Sequence, residues 1–414
     1  MSNRHLAPLS LTGSYSPQFR LDAARMATCA DSRSMRPKIL CVFGTRPEII
    51  KLAPIIRELK QTHHDIQVMT VMSGQHTDLV EPFLELFQVK PDFNLQIMQR
   101  QQTPNEVCAR VLAGLEPIMS KEAPEAVIVQ GDTTTALAGA LTGFHHKTAV
   151  AHVEAGLRSG DPHNPFPEEM NRRLISRLAT YHFAATSGNR DSLLREGVPA
   201  DDIFVTGNPV VDSLHYILEN TEPSSRVREL LKQTAGQKLL VLTTHRRESF
   251  GRAMRQNLRD IREFVERHED VSLIFAVHPN PNVVEAARTE LNGGSRILLI
   301  EPLGYSDFIQ LLKQSWVVLS DSGGIQEEAP SLGKPVFVLR TNTERPEAID
   351  AGVAFLAGNK PGHLLAMLNR AYDESGWLEK IKQIPNPFGD GKTASRIAEI
   401  IQQKICCRAE RITR

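Results

Sequence analysis

From residue 38 onward, short apolar runs alternate with longer amphipathic stretches at a steady beat, and this constrains the fold more than anything else in the chain. Such runs suit strands buried on both faces, and the helical pattern between them returns the chain so that each strand runs parallel to the last. The first series places strands at 38–44, 66–74, 126–131, 149–155, 181–186 and 203–207. A second series restarts at 238–244, 271–278, 297–303, 316–320, 335–339 and 353–357. The class is α/β, with two doubly wound, Rossmann-like domains. Facing each other, they put the carboxyl ends of both sheets on one cleft, where such sheets bind ligands.

A chain of 414 residues is too long for one ordinary core, which agrees with two domains. The polar stretch 220–237, approached through Gly207-Asn208-Pro209, is the expected joint. Residues 36–206 then form the first domain, 207–391 the second, and 392–414 a final amphipathic helix. Residues 1–35 mix Ser, Arg, Ala and Pro without periodicity and read as a disordered tail. With 48 basic residues against 48 acidic ones, no global field attracts nucleic acid or an anionic membrane. No window is long and apolar enough for a membrane span, and the first residues lack a secretory signal's apolar core. Five cysteines, Cys41 in an apolar run and Cys406 and Cys407 at the end among them, have no metal-ligand spacing and fit a reducing compartment. The expected location is the cytoplasm.

Chemistry is sought in the loops that leave the strands. The first strand exits through Gly44-Thr45-Arg46-Pro47-Glu48, with Lys51 one turn on. Thr45 can cap a helix and Pro47 suits its first turn, so Arg46 and free amides make an anion site; a capped helix with an exposed Arg is the plainer reading. Asp132 follows one apolar strand and Glu154 ends another, where partial desolvation raises a carboxyl pKa and suits it to general acid or base work. An N-cap explains Asp132 equally well. The loop 161–167 holds three prolines, then Glu168 and Glu169 open a helix carrying Arg172. Matching to the helix dipole accounts for the two acids but not for the stiff loop.

In the second series, one strand runs into His245-Arg246-Arg247, a phosphate-facing cluster or a solvated turn, and His278 ends the next, where a core or capping histidine is the commoner case. Ser322-Gly323-Gly324 opens a helix after a buried strand, so backbone N–H groups could meet a diphosphate, with Glu328 one turn inside placed for ribose hydroxyls. Arg345 lies near another helix start. The run 389–393 lacks the first glycine of a phosphate-binding P-loop and a strand before it, and no zinc-protease or nucleophile-elbow motif occurs.

Taken in order, Phe43-Gly44-Thr45-Arg46-Pro47-Glu48, Gly131-Asp132-Thr133-Thr134, His152-Val153-Glu154-Ala155-Gly156-Leu157-Arg158, Pro167-Glu168-Glu169, His245-Arg246-Arg247-Glu248 and Asp321-Ser322-Gly323-Gly324-Ile325-Gln326-Glu327-Glu328 resemble the non-hydrolysing UDP-N-acetylglucosamine 2-epimerases over roughly residues 36 to 400. The resemblance implies a GT-B fold, a final helix crossing back to the first domain, a homodimer, and no cofactor or metal. It implies interconversion of UDP-GlcNAc and UDP-ManNAc for surface polysaccharides, by elimination of UDP to 2-acetamidoglucal and its re-addition.

By the same resemblance, Asp132, Glu154 and Glu168 match the catalytic carboxylates, and His245 a histidine near the diphosphate. Arg46, Lys51, Arg172 and Arg345 match binding or positioning residues, and His278, at the end of its strand, is counted with the substrate-binding candidates. Ser322, Gly323 and Gly324 match the diphosphate grip, and Glu328 the ribose contact. Gln75 and His76 match a pair that contributes to a second, activating UDP-GlcNAc site. A GT-B glycosyltransferase would share the fold and the nucleotide cradle, and a non-catalytic UDP-sugar sensor would keep the cradle without needing the acids.

Overall fold

The computed structural model of the chain describes residues 36–74, 77–99, 101–246, 250–358 and 360–412. Two wholly parallel sheets organise them. The first contains β1 (Lys38–Phe43), β2 (Gln67–Met72), β3 (Phe93–Asn94), β4 (Ala126–Gln130), β5 (Ala149–Ala155), β6 (Tyr181–Ala184) and β7 (Ile203–Val205), in the order β3-β2-β1-β4-β5-β6-β7. The second contains β8 (Lys238–Thr243), β9 (Val271–Ala276), β10 (Ile297–Ile300), β11 (Val317–Ser320), β12 (Val336–Val338) and β13 (Ala354–Leu356), in the order β10-β9-β8-β11-β12-β13. Each sheet with its helices is called a lobe below.

Both orders reverse direction once, between β1 and β4 and between β8 and β11. Loops leaving adjacent strands there diverge to opposite faces and leave a crevice, which is where doubly wound sheets take ligands. The loops bearing Arg46 and Asp132 flank the first reversal; those bearing His245 and Ser322 flank the second.

Every strand the alternation places is present, most of them shorter than the apolar run because the run continues into the exit loop. Phe93–Asn94 is an addition, too short to carry a period of its own. The polar stretch expected as a joint holds the helix Ser225–Gln233, capped by Ser224, whose hydroxyl accepts from the Val227 amide.

Among the described residues one buried apolar cluster runs through both lobes, and others are confined to one lobe each. Ile39 and Phe43 of β1, Val211 and Leu214 of the helix Val210–Asn220, and Val241 and Val318 of the second sheet belong to the same buried cluster. The last helix, Thr393–Ile412, adds Ile397, Ala398 and Ile401 to that cluster and returns to the first sheet: Lys404 lies over the rings of Tyr181 and Phe204, and Gln402 donates to Asp65 at 2.9 Å. Burial pushes the Cys41 thiol up to about 12, so it is a packing residue. Cys41 is expected to resist thiol reagents in the native protein and to react once denatured, a difference that mass spectrometry of pulse-alkylated protein would read.

Candidate active site

The exit from β1 is built by packing and by one carboxylate. A Cβ on Gly44 would stand 2.0 Å from Ser73 Oγ, so no side chain fits between β1 and the neighbouring loop. Thr45 then caps the helix Arg46–Thr62, and the fully buried Glu48 turns back to accept from the Gly44 amide at 2.9 Å, the Thr45 amide and the Thr45 hydroxyl, both at 2.8 Å. Its other oxygen accepts from Thr133 Oγ1 at 2.6 Å. Glu48, quoted in the motif but given no role from the sequence, therefore joins the Arg46 loop to the Asp132 loop. Arg46 projects from this helix start and is exposed. Its charge bears on His245, Tyr305 and Glu328 of the other lobe, which places it at the cleft.

The N-cap after β4 is Thr133, whose hydroxyl accepts from Ala136 N at 3.0 Å, and not Asp132. Asp132 is thereby left to pair with Arg172, whose Nε and Nη2 both donate to Oδ2. Burial pushes the Asp132 carboxyl above its usual range, and Arg172 opposes this without cancelling it. Glu169, also fully buried, takes Arg172 at 3.1 Å and Arg173 at 2.8 Å, so ion pairing together with the helix start accounts for it. Glu168 differs. Its Oε2 is buried and has no hydrogen-bond partner among the described residues, an open acceptor at the end of the proline loop.

Glu154 departs from the sequence expectation twice. It sits in β5 at a break in register between Val153 and Ala155, with φ of 63°, so a bulge turns it out of the sheet's alternation. A left-handed non-glycine residue costs of order 1–3 kcal/mol and is kept where the surroundings fix it. They do here: Lys51 Nζ and Asn208 Nδ2 donate to Oε1, and Gln130 Nε2 donates to Oε2. The expectation of a raised pKa is also overturned. Burial favours the neutral acid, but the Lys51 ammonium and Arg345 guanidinium hold the carboxyl below its ordinary range.

Lys51 spans the lobes. Beyond Glu154 it reaches Glu327 at 3.5 Å, and Glu327 accepts from Arg345 Nε at 2.8 Å. Arg345 also donates to Glu344 at 3.0 Å, so it is neutralised by acids in this state rather than left open to an anion. The reason for Gly323 follows: a Cβ there would meet the Arg345 Cζ at 3.2 Å. Gly324 has only Ser322 Oγ in range, at 3.9 Å, which leaves the backbone approachable. Ser322 is the N-cap of Gly323–Glu328, and its N–H donates to Ser320 Oγ at 3.0 Å.

Asp321, fully buried, organises the loop after β8: it accepts from Thr244 Oγ1 at 2.6 Å, from the Arg246 amide at 3.0 Å and from the His245 amide at 3.1 Å. Its carboxylate also stands 3.3 Å from His245 Nδ1. Burial holds His245 below its usual range even so, so it adds no positive charge to this loop at neutral pH. His278 is exposed, its ring centroid 6.1 Å from that of His245. Glu328 is 6% exposed and accepts from Tyr305 OH at 2.6 Å.

The structure thus brings Asp132, Glu154, Lys51, Arg172, Arg345 and Glu328 into connected networks and puts Arg46, His245, His278 and Ser322 at the rim. Gln75 and His76 lie outside the described residues. Glu48, Gln130, Asn208, Tyr305, Asp321 and Glu327 were not singled out from the sequence; Asp321, a charged residue directly after a buried strand, and Glu48, three residues after the capping Thr45, carried a signal. A separate cavity of about 570 Å³, lined by Thr206, His215, Asn386 and Arg396 among others, holds none of these acids. Among the described residues no group of three His, Cys, Asp or Glu is arranged to hold a metal ion, and no helix is long and apolar enough to cross a membrane.

The family model described as UDP-N-acetylglucosamine 2-epimerase matches residues 57–402. A Yersinia pestis protein of that name is 41% identical over 370 residues, covering 88% of this chain and 98% of the relative. The chain belongs to the UDP-N-acetylglucosamine 2-epimerase family. The Neisseria meningitidis UDP-GlcNAc 2-epimerase bound to UDP-GlcNAc is 38% identical, with a TM-score of 0.80 over 88% of this chain and 100% of that one. The Methanocaldococcus jannaschii UDP-GlcNAc 2-epimerase in complex with UDP-GlcNAc and UDP gives 36% and 0.73, covering 88% and 99%. With these neighbours the paired parallel sheets are the GT-B fold; of the motifs that suggested this epimerase family, those beginning at Phe43, Gly131, His245 and Asp321 leave strands at the sheet reversals, and those beginning at His152 and Pro167 lie in β5 and at the start of the helix after it.

Proposed function

We propose that the chain interconverts UDP-GlcNAc and UDP-ManNAc by eliminating and re-adding UDP. The observation that carries this reading is the ion bridge through Lys51, which ties Glu154 of the acid-bearing lobe to Glu327, the neighbour of Glu328, in the other. A hexose attached to a nucleotide on the second lobe would lie against the carboxylates of the first. No carbonyl neighbours C2, so its proton is not acidic enough for direct removal by a carboxylate. If the C1–O bond to UDP breaks as a base takes the C2 proton, the C–H electron pair forms the C1=C2 double bond and UDP carries the C1–O pair away. Return requires a proton delivered to the opposite face of C2 while a phosphate oxygen re-forms the bond to C1. Two acid/base groups with differently set protons suit this. Glu154, held ionised, fits the base, and Asp132, whose pKa is raised, fits the acid, with the open Oε2 of Glu168 as the third group.

Arg46, His245, Ser322, Gly323 and Gly324 would receive the diphosphate, each well-aimed donor contributing about 3–4 kcal/mol to the leaving group. Arg345 would move to it once the phosphates compete with Glu327 and Glu344. The reading includes a cytoplasmic homodimer, domains at 36–206 and 207–391 with the last helix crossing back, a second UDP-GlcNAc as activator near Gln75 and His76, and service to surface polysaccharide synthesis.

The test uses UDP-GlcNAc alone in deuterated water. The expected result is UDP-ManNAc carrying deuterium at C2, with deuterium also entering recovered UDP-GlcNAc. A GT-B glycosyltransferase would need an acceptor and leave C2 untouched, and a sensor would return the sugar unchanged; either outcome rejects the proposal.

A further inference from the structure

Tyr305 begins the helix Tyr305–Gln314 of the second lobe and is half-buried. Its hydroxyl donates to Oε1 of Glu328 at 2.6 Å. Its ring lies 5.5 Å from that of Phe83, tilted by 41°, and Phe83 belongs to the helix Thr77–Phe87 of the first lobe. One side chain therefore touches both the carboxylate read as the ribose contact and the opposite wall of the cleft.

We infer that Tyr305 is a positioning residue for the nucleotide grip: its hydroxyl keeps the Glu328 carboxylate ionised, leaving Oε2 for the ribose, and its ring makes this hold depend on the seat that Phe83 provides across the cleft. The inference rests on the reading of Glu328 as the ribose contact. A carboxylate can accept two vicinal hydroxyls only while ionised; protonated, it becomes a competing donor. Burial pushes Glu328 up to about 7, and Glu327 adds to this, while Tyr305 from the same lobe and Lys51 and Arg46 from the other pull it down. Tyr305 itself is held well above its ordinary range by burial and by Glu328, so it stays a donor across the pH range that matters. Phe83, only 8% exposed, closes one side of the ring and keeps water from replacing the hydroxyl.

The sign follows. Above the Glu328 pKa the carboxylate grips; as pH falls through about 7 the grip is lost. Removing the Tyr305 hydroxyl raises that pKa, so the loss begins at higher pH.

The experiment is calorimetric binding of UDP to the full chain between acid and alkaline pH. UDP's own phosphate titrates near about 6, so Glu328→Gln supplies the baseline that lacks the carboxyl. Tyr305→Phe is expected to move the acid limb of affinity upward by roughly one pH unit, binding about five-fold more weakly near neutrality and about ten-fold more weakly in acid. In alkaline solution it should recover to wild-type affinity, a rescue that a misfolded cleft would not give. Phe83→Leu should displace the same limb in the same direction by less. A pH-independent loss in Tyr305→Phe, or no loss, overturns the inference, and a wild-type limb in Phe83→Leu overturns its cross-lobe half. Glu328→Gln binding like wild type with an unchanged limb would instead reject the ribose reading itself.

Discussion

Glu154→Gln is expected to lower turnover by about 10²- to 10⁴-fold, the usual contribution of a positioned acid or base, while UDP affinity holds or improves. The charges explain the split. Lys51 and Arg345 are balanced within the cleft by Glu154 and Glu327, with Glu344 beside Arg345. Removing the Glu154 charge leaves that cluster more positive where a diphosphate is expected to bind. The same change costs stability, because Lys51 loses its nearer partner at a site about one-tenth exposed; breaking a buried pair on one side costs about 3–5 kcal/mol. UDP would restore part of this by binding the folded state alone. The pH dependence has a fixed sign. Glu154 has a folded pKa below its ordinary 4.5, so its contribution is present above that value and lost as pH falls through the folded one. The stability gap between wild type and variant should therefore narrow in acid. Urea unfolding across pH, UDP calorimetry and turnover together test this; equal loss of turnover and UDP binding would make Glu154 a binding residue.

The fold was legible because parallel strands must be apolar on both faces and helices must bridge them, so the alternation fixes order and class locally. What stayed hidden depends on long-range pairing. Nothing near Glu154 announces that an extra residue enters β5 against β6 and redirects the carboxylate, since a bulge is a property of two paired strands. Desolvation was foreseeable from an apolar run, but its defeat at Glu154 required Lys51 from a helix of the same lobe and Arg345 from the other, both distant in sequence. The same holds for Tyr305, whose neighbours in sequence say nothing of Phe83 or Glu328. Asp132 was foreseen with the right sign because its burial outweighs its single salt-bridge partner. Ordered motifs pointed to the carboxylates; the directions in which their pKa values shift come from tertiary contacts.

Asp132→Asn should also lose turnover by about 10²- to 10⁴-fold, yet with the opposite consequence for stability. Burial dominates at Asp132 and raises its pKa above the ordinary 3.8, so the ionised group costs the fold more than its pair with Arg172 returns. By linkage, this group's contribution is fully present below 3.8 and is lost as pH rises through the folded value. An asparagine keeps the shape, and its amide oxygen can still accept from Arg172 Nε and Nη2, while Arg172 retains Glu169 at 3.1 Å. The variant should therefore be as stable as wild type or more so at neutral pH, with the advantage shrinking in acid. Such a gain at the expense of activity is the usual signature of a group kept strained for chemistry. Measured side by side, Glu154→Gln should unfold at lower urea than wild type and Asp132→Asn at equal or higher urea, with both nearly inactive. If Asp132→Asn instead loses several kcal/mol, its ionised pair with Arg172 is a structural bond, and the proton that re-enters C2 must be sought on Glu168.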